Sequence, residues 1–451
     1  MIAGAAAVRR VTTWVGIAML ALFAVALVLV TGGLSATRPL YAVVLGVAVL
    51  AFGLTLMDAA IVPLALLLPL LVVLRVGVGG TNLSVSDFAL FAAFWPAVLF
   101  SARPYSPALR NLLLLTVVYQ ATTLLTVVAN PYRANLVEWV HAWLLTAGAL
   151  IVGWSIGRER HARLGLTLLL LGSMVIALCT IGQGLVQYAG GNFDAVYPSY
   201  PYPMHKNFAG CILGFAAITA YTRPVWARWS PLFAQVAFWL CTAGIVVAQS
   251  RQALVALGAA LIVVSMRTDP DRKRSRLILL IVLPALAIVG SLVKNQAESG
   301  NEYNSLFQRI RWFSDSLTVW RSDVLFGGGL RWWYTDRFPV RFQPPNAEME
   351  VLSSAGLVGL VGFLVLMIGA VWVLWRVDAA YGVLASAVII SRLVQGQLDL
   401  FWVGGQVSVP FVIAGICLGA KALADSETPE AWHGPPPPRR RSEPELATRR
   451  D

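Results

Sequence analysis

Apolar runs of about membrane length recur along almost the whole 451-residue chain, separated by short polar intervals, and this recurrence limits the fold more than any motif does. A bilayer interior offers no water to backbone N–H and C=O groups, so each crossing run must satisfy them internally as a helix of ~20 residues. The first run is Trp14–Thr31; Arg9 and Arg10 precede it and no small-residue cleavage site follows, which reads as a retained helix. Thirteen more lie at 38–57, 59–74, 86–101, 109–128, 138–156, 165–188, 207–222, 231–248, 252–266, 277–293, 349–375, 379–394 and 402–422. Hydrophobic residues make up 58% of the chain and charged ones 12%, with mean hydropathy +0.72, more than a soluble domain needs to fill its core. The expectation is an all-α integral membrane protein with 12–14 transmembrane helices and one large outer loop. It divides into an N-terminal bundle (1–293), the loop (294–348), C-terminal helices (349–425) and a disordered Pro/Arg tail (426–451).

A net charge of +12 would suit a nucleic-acid partner, but the basic residues lie mostly in short inter-helix loops and in the tail. There they act as topology determinants, and no nucleic acid is expected. With the N-terminus inside, Arg103, Arg110, Arg158, Arg160, Arg163, Arg223, Arg228 and Arg376 fall on the cytoplasmic side, against Arg38, Arg75, Arg133, Lys206 and Arg251 outside. Both termini are then cytoplasmic, and residues 294–348 face outward. Lysine occurs only four times, and the excess of arginine, alanine and valine suggests a GC-rich bacterial genome. Cys179, Cys211, Cys241 and Cys417 all lie inside apolar runs without metal-ligand spacing, so neither disulfide nor metal is expected.

The chemistry-bearing residues concentrate in Gln308–Gly359, which holds six arginines, four tryptophans and a three-glycine turn. Leu306, Ile310, Phe313, Leu317 and Trp320 recur at helical spacing and predict an amphipathic helix on the outer membrane surface or capping the bundle. The glycines of Phe326–Leu330 then permit positive φ and a close backbone approach to a ligand. Guanidinium groups pair bidentately with phosphate and aromatic rings cover sugar faces, so this loop suits a substrate carrying both. Arg251 and Arg331 are the leading phosphate ligands, with Arg337 and Arg341 as a weaker pair. Arg251 also reads as a membrane-anchoring arginine, and Trp332 and Trp333 either hold sugar rings or anchor the loop at the interface. His205, beside Lys206, is a candidate base, although a single histidine is often structural. Asn346 caps the next helix and joins the glycan-side candidates. Near the last spans, Arg392 and Asp399 form either a supporting pair or a wall of the site.

SVSDFAL at Ser84, MHKNFAG at Met204, SRQALVAL at Ser250, DVLFGGGL at Asp323 and PPNAEMEVLSSAGLVGL at Pro344, taken in order, resemble the O-antigen ligase and polymerase superfamily. The resemblance covers about residues 80–375. It implies a helical membrane glycosyltransferase that takes a glycan from a polyprenyl pyrophosphate carrier and joins it to a glycan or other hydroxyl acceptor outside the cytoplasmic membrane, without cofactor. Ligases of the family carry histidine before asparagine at the end of the loop; here the pair reads Pro345-Asn346, and the resemblance makes Glu348, beside that position on the outer face, the first candidate base, with His205 second. That departure favours polymerase-like chemistry relying on arginines. A transporter or flippase for a lipid-linked or anionic solute is the rival, but such folds show internal repeats and none is evident. A non-catalytic envelope-assembly scaffold is the third reading.

Overall fold

The computed structural model describes residues 35–78, 81–267 and 305–427, with scattered positions in 25–33 and 280–294. The expected spans at Trp14–Thr31 and 277–293 and the tail beyond Glu427 lie outside the continuous stretches. The described chain is almost entirely helical, and the protein is a multi-pass membrane protein. Among the described residues six helices are long and apolar enough to cross a bilayer: α4 (Pro107–Ala129), α5 (Arg133–Arg158), α6 (Ala162–Ala189), α11 (Ala347–Trp375), α12 (Ala379–Gly396) and α13 (Gly404–Glu427). Shorter helices are α1 (Pro39–Met57), α2 (Ile61–Ala65), α3 (Val85–Phe100), α7 (Lys206–Thr222), α8 (Pro231–Val247), α9 (Arg251–Met266) and α10 (Ser305–Trp320).

Helix starts follow local chemistry. Ser106 and Ser230 each accept a backbone N–H at the head of α4 and α8, with Pro107 and Pro231 at the first helical position, where no N–H is needed. The expected span at 59–74 is not one helix. Pro69 interrupts it, leaving five-residue α2, which holds Pro63 in its first turn, and one turn at Pro69–Leu71; the chain then extends into a hairpin of β1 (Arg75–Val78) and β2 (Thr81–Ser84). A proline inside a helix removes a hydrogen bond and clashes with the preceding turn, which is why apolarity alone misled here.

The tightest helix pair is α5 against α13. Gly153 and Gly157 on α5 face Gly415 and Gly419 on α13, so two small-x-x-x-small stripes meet. A Cβ on Gly153 would lie 2.1 Å from the Val412 carbonyl oxygen, and one on Gly415 would lie 2.4 Å from that of Leu150. Helices in lipid gain little from the hydrophobic effect and associate through such close backbone approach. Both helices also carry site residues, so their contact fixes the distance across the site.

Helix α10 forms where the apolar period predicts it, with its most buried positions beside the predicted stripe. Ser316 and Val319 are buried; Phe313, Leu317 and Trp320 of the stripe are half-buried, like Trp312, and Ile310 is 53% exposed. The inward face packs on α11.

Candidate functional site

After α10 the chain turns through Gly327–Gly329 and folds back on α11 and the start of α5. Gly328 and Gly329 donate to the Ser353 and Ser354 carbonyls at 2.9 Å each. Gly327 has φ +68° and Gly356, where α11 is kinked, has φ +64°. A Cβ on Gly327 would lie 2.6 Å from the Gly356 nitrogen, and one on Gly356 would lie 2.3 Å from the Leu325 carbonyl. Only glycine combines that backbone conformation with that contact. The close approach expected for a ligand is thus made by the chain's own backbone.

Three residues before and within α5 hold the turn from the other side. Asn130 Nδ2 donates to the Gly327 carbonyl at 3.2 Å, Tyr132 to that of Gly328 at 3.3 Å, and the Leu330 N–H donates to Asn135 Oδ1 at 2.6 Å. Burial pushes the Tyr132 hydroxyl up to about 12, against the opposing effect of Arg337, so it remains a neutral donor.

Arg331, next in sequence, enters a buried polar cluster. Its Nε donates to Glu138 Oε2, and its Nη2 lies 3.3 Å from His141 Nδ1. The same Nδ1 is 3.2 Å from Glu138 Oε2, while His141 Nε2 is 3.0 Å from Asp87 Oδ1. Asp87 Oδ2 accepts the N–H and hydroxyl of Ser84, both at 2.7 Å, closing a capping box at the head of α3. Burial opposes charge on Arg331, but neighbouring Glu138 outweighs it and holds the guanidinium above the ordinary arginine range. Both imidazole nitrogens are occupied, which suits the cluster to fixing Arg331 rather than to exchanging protons. A small cavity of about 70 Å³ lies against it, walled also by Trp333, Tyr334 and Trp402.

A larger cavity of about 690 Å³ adjoins this one at the same end of the bundle, and the two share Val73, Arg75, Gln343 and Val403 as walls. His205, Asn207 and Phe208 line it from the head of α7, Arg309 and Trp312 from α10, and Asp399 and Gln406 from the segment between α12 and α13 and the first turn of α13. Tyr197 stands at its edge, its ring 5.3 Å from His205 and 5.8 Å from Lys206 Nζ. Burial lowers the pKa of Arg309, with Asp399 opposing and Arg251 adding to the effect; Arg251 also lies in electrostatic reach of Lys206. Arg75, Arg309 and Asp399 therefore line the cavity, and Lys206 and Arg251 act on its lining from electrostatic reach, Lys206 on His205 and Arg251 on Arg309. Such a surface attracts an anion.

His205 is held neutral below the ordinary histidine range, chiefly by burial and secondarily by Lys206, with Asp399 opposing. Its Nδ1 accepts the Asn207 N–H at 3.2 Å, so the proton sits on Nε2 and the ring acts as a donor.

The other sequence candidates separate. Arg251 stands beside the large cavity, and Arg331 and Trp333 line the small one. Trp332 is fully buried, donating to Ser353 Oγ at 3.2 Å. Arg337 donates to Asn130 Oδ1 at 2.5 Å and to the Gly328 carbonyl at 3.3 Å, bracing the glycine turn. Arg341 pairs with Asp336 at 2.6 Å on the surface. Asn346 caps α11, accepting the Met349 N–H at 2.9 Å, and its amide donates to Gln397. Glu348 accepts from Gln397 Nε2 at 2.7 Å and lines neither cavity. The expected Arg392–Asp399 pair is absent among the described residues: Asp399 accepts from Gln252 at 2.7 Å, and Arg392 meets the Leu400 and Phe401 carbonyls instead. Asp87, Glu138, His141, Arg309 and Gln406 were not singled out in the sequence. Glu138 and His141, one helical turn apart in an otherwise apolar run, carried the signal that should have marked them.

No family model matches the chain, and no curated protein matches it.

Proposed function

We propose that the protein is a membrane glycosyltransferase that moves a glycan from a polyprenyl pyrophosphate carrier to a hydroxyl acceptor at the outer face of the bacterial cytoplasmic membrane. The observation that carries this reading is the large cavity, walled by Arg75 and Arg309 and by the rings of Tyr197 and Trp312 at one end of an apolar bundle, with Lys206 and Arg251 in electrostatic reach of its lining. Diphosphate demands the first set, sugar faces match the second, and the apolar helices supply a surface for the isoprenoid. Residues 294–348 lie on the outer side in this reading, with both termini cytoplasmic.

In the reaction the acceptor hydroxyl oxygen attacks the anomeric carbon, the carbon–oxygen bond to the carrier breaks, and the electron pair leaves on polyprenyl pyrophosphate. Arg251 and Arg309 stabilise the charge that grows there, worth several kcal/mol in a site partly shielded from water. Asp399 lines the cavity and takes the hydroxyl proton in place of Glu348, which is turned to Gln397. His205 donates from Nε2 to the anion. The missing histidine before Asn346 favours joining repeat units over ligation to a lipid core.

Mass spectrometry of lipid extracts from cells expressing wild type, Arg251→Ala and Arg309→Ala at equal levels tests this. Accumulation of glycan on its carrier, with loss of mature polymer in both variants, is the expected outcome. Unchanged lipid pools in both, beside an altered pool in a deletion strain, would replace the transferase reading with transport or scaffolding.

A further inference from the structure

The inner wall of the large cavity holds a hydrogen-bond donor whose direction is fixed by a buried cation. Arg392 on α12 is wholly buried and makes no ion pair among the described residues. Its Nη2 donates to the Leu400 carbonyl at 2.8 Å and to that of Phe401, its guanidinium lies 4.7 Å over the Phe401 ring, and its Nη1 donates to Gln406 Oε1 at 3.1 Å. A guanidinium has donors and no acceptor, so Gln406 must turn its amide oxygen toward Arg392 and its NH2 away. Gln406 is 3% exposed and lines the large cavity, and no acceptor among the described residues meets that NH2.

The surroundings reinforce the polarity. Gln406 lies in the first turn of the 24-residue α13, where unsatisfied N–H groups form the positive helix end. No carboxylate among the described residues pairs directly with Arg392, although Asp399 and Glu350 lie within electrostatic reach, and Asp399 Oδ2 is already held by Gln252. A buried guanidinium polarises the amide that accepts from it, strengthening the donor on the far side.

We propose that Gln406 donates to a phosphate oxygen of a diphosphate bound in the large cavity, with Arg392 as the positioning residue that fixes the amide. The assignment rests on the glycosyltransferase reading for the diphosphate and extends it to a contact residue.

The test uses purified full-length protein in detergent, titrated with farnesyl diphosphate, inorganic diphosphate and farnesol. Gln406→Glu keeps an oxygen on Arg392 and replaces the donor with a second anionic oxygen; Gln406→Met removes the donor at similar volume. Both should lose about 10–100-fold in farnesyl diphosphate affinity, the range of a hydrogen bond to a charged group, while farnesol binding stays at the wild-type value; Gln406→Met also lowers Tm, because it removes the acceptor of Arg392 Nη1, whereas Gln406→Glu keeps that acceptor. Arg392→Met in the Gln406→Met background should cause no further loss, because the arginine acts through the glutamine; an additive loss would overturn its positioning role. Wild-type affinity in both Gln406 variants, with Arg309→Ala still impaired, would overturn the Gln406 assignment and leave the transferase reading standing. Equal affinity for inorganic and farnesyl diphosphate would support the donor and overturn the lipid carrier as its source. Failure of the wild type to bind either diphosphate would overturn both.

Discussion

Arg331 donates to Glu138 from 193 residues further along the chain, and this buried ion pair ties the segment after α10 to the first turns of α5. Removing one partner strands the other's charge in a buried site, which costs about 3–5 kcal/mol. Arg331→Ala should therefore lower stability by that amount, and Arg331→Met combined with Glu138→Gln should recover part of it. Thermal unfolding in detergent checks the order of the three proteins. A loss of activity in Arg331→Ala that the double variant repairs would show Arg331 acting through the fold, whereas failure of the repaired protein would place its guanidinium on the substrate.

The paired glycine stripes between α5 and α13 give the fold its closest contact. Gly415→Val inserts atoms where the Leu150 carbonyl already lies 2.4 Å from a Cβ, so α13 must move away from α5. Overpacking of this kind costs about 1–3 kcal/mol. Because α13 carries Gln406 and α5 carries Glu138 and His141, farnesyl diphosphate binding should weaken together with Tm. A variant with lowered Tm and wild-type binding would show that the contact supports the bundle without setting the site's geometry.

The helices were legible because a bilayer makes length and apolarity nearly sufficient to specify them. The exceptions have local causes: Pro69 cuts the run at 59–74, and Gly356 kinks α11 inside a continuous apolar pattern. The site was less legible because its contacts are long-range. Gly327–Gly329 announced a turn but not that Asn130, Tyr132 and Ser354 would receive it. Arginine count favoured Arg331, Arg337 and Arg341, yet the first two close on neighbouring chain and the third on Asp336, while Arg309 reaches the large cavity by its position on the inward face of α10. That face mixes arginine, tryptophan, serine and valine, and no hydrophobic period selects it.

Two tryptophans near in space to the same segment should behave in opposite ways. Trp332 is sealed among Val319, Phe338 and Phe342, so Trp332→Ala should cost about 3–5 kcal/mol and be read in Tm. Trp312 lines the large cavity and stacks on Phe342 at 5.8 Å with one side. Trp312→Ala should leave Tm within about 1 kcal/mol of wild type yet weaken a sugar-bearing farnesyl diphosphate several-fold, a loss in the range of one aromatic contact, with plain farnesyl diphosphate unaffected. Equal loss for both ligands would remove the ring from sugar recognition.

His205 supplies a pH dependence whose sign follows from its surroundings. Its pKa in the folded protein lies below the ordinary 6.5, chiefly because burial disfavours the imidazolium and then because Lys206 repels it, with Asp399 opposing. The unfolded chain therefore binds the proton more readily, so the histidine's contribution to stability is complete above pH ~6.5 and is lost as pH falls through the folded pKa. Part of the ring keeps solvent access, so the effect is smaller than for a sealed histidine. His205→Gln should flatten that acid limb in Tm measured from pH 7.5 downward without shifting the plateau above it. In the same window, protonation puts a second N–H on the ring, breaks its bond from the Asn207 N–H and adds positive charge to the cavity, so farnesyl diphosphate should bind more tightly as pH falls. Binding that weakens in step with Tm would mean that the head of α7 opens before the added charge can act.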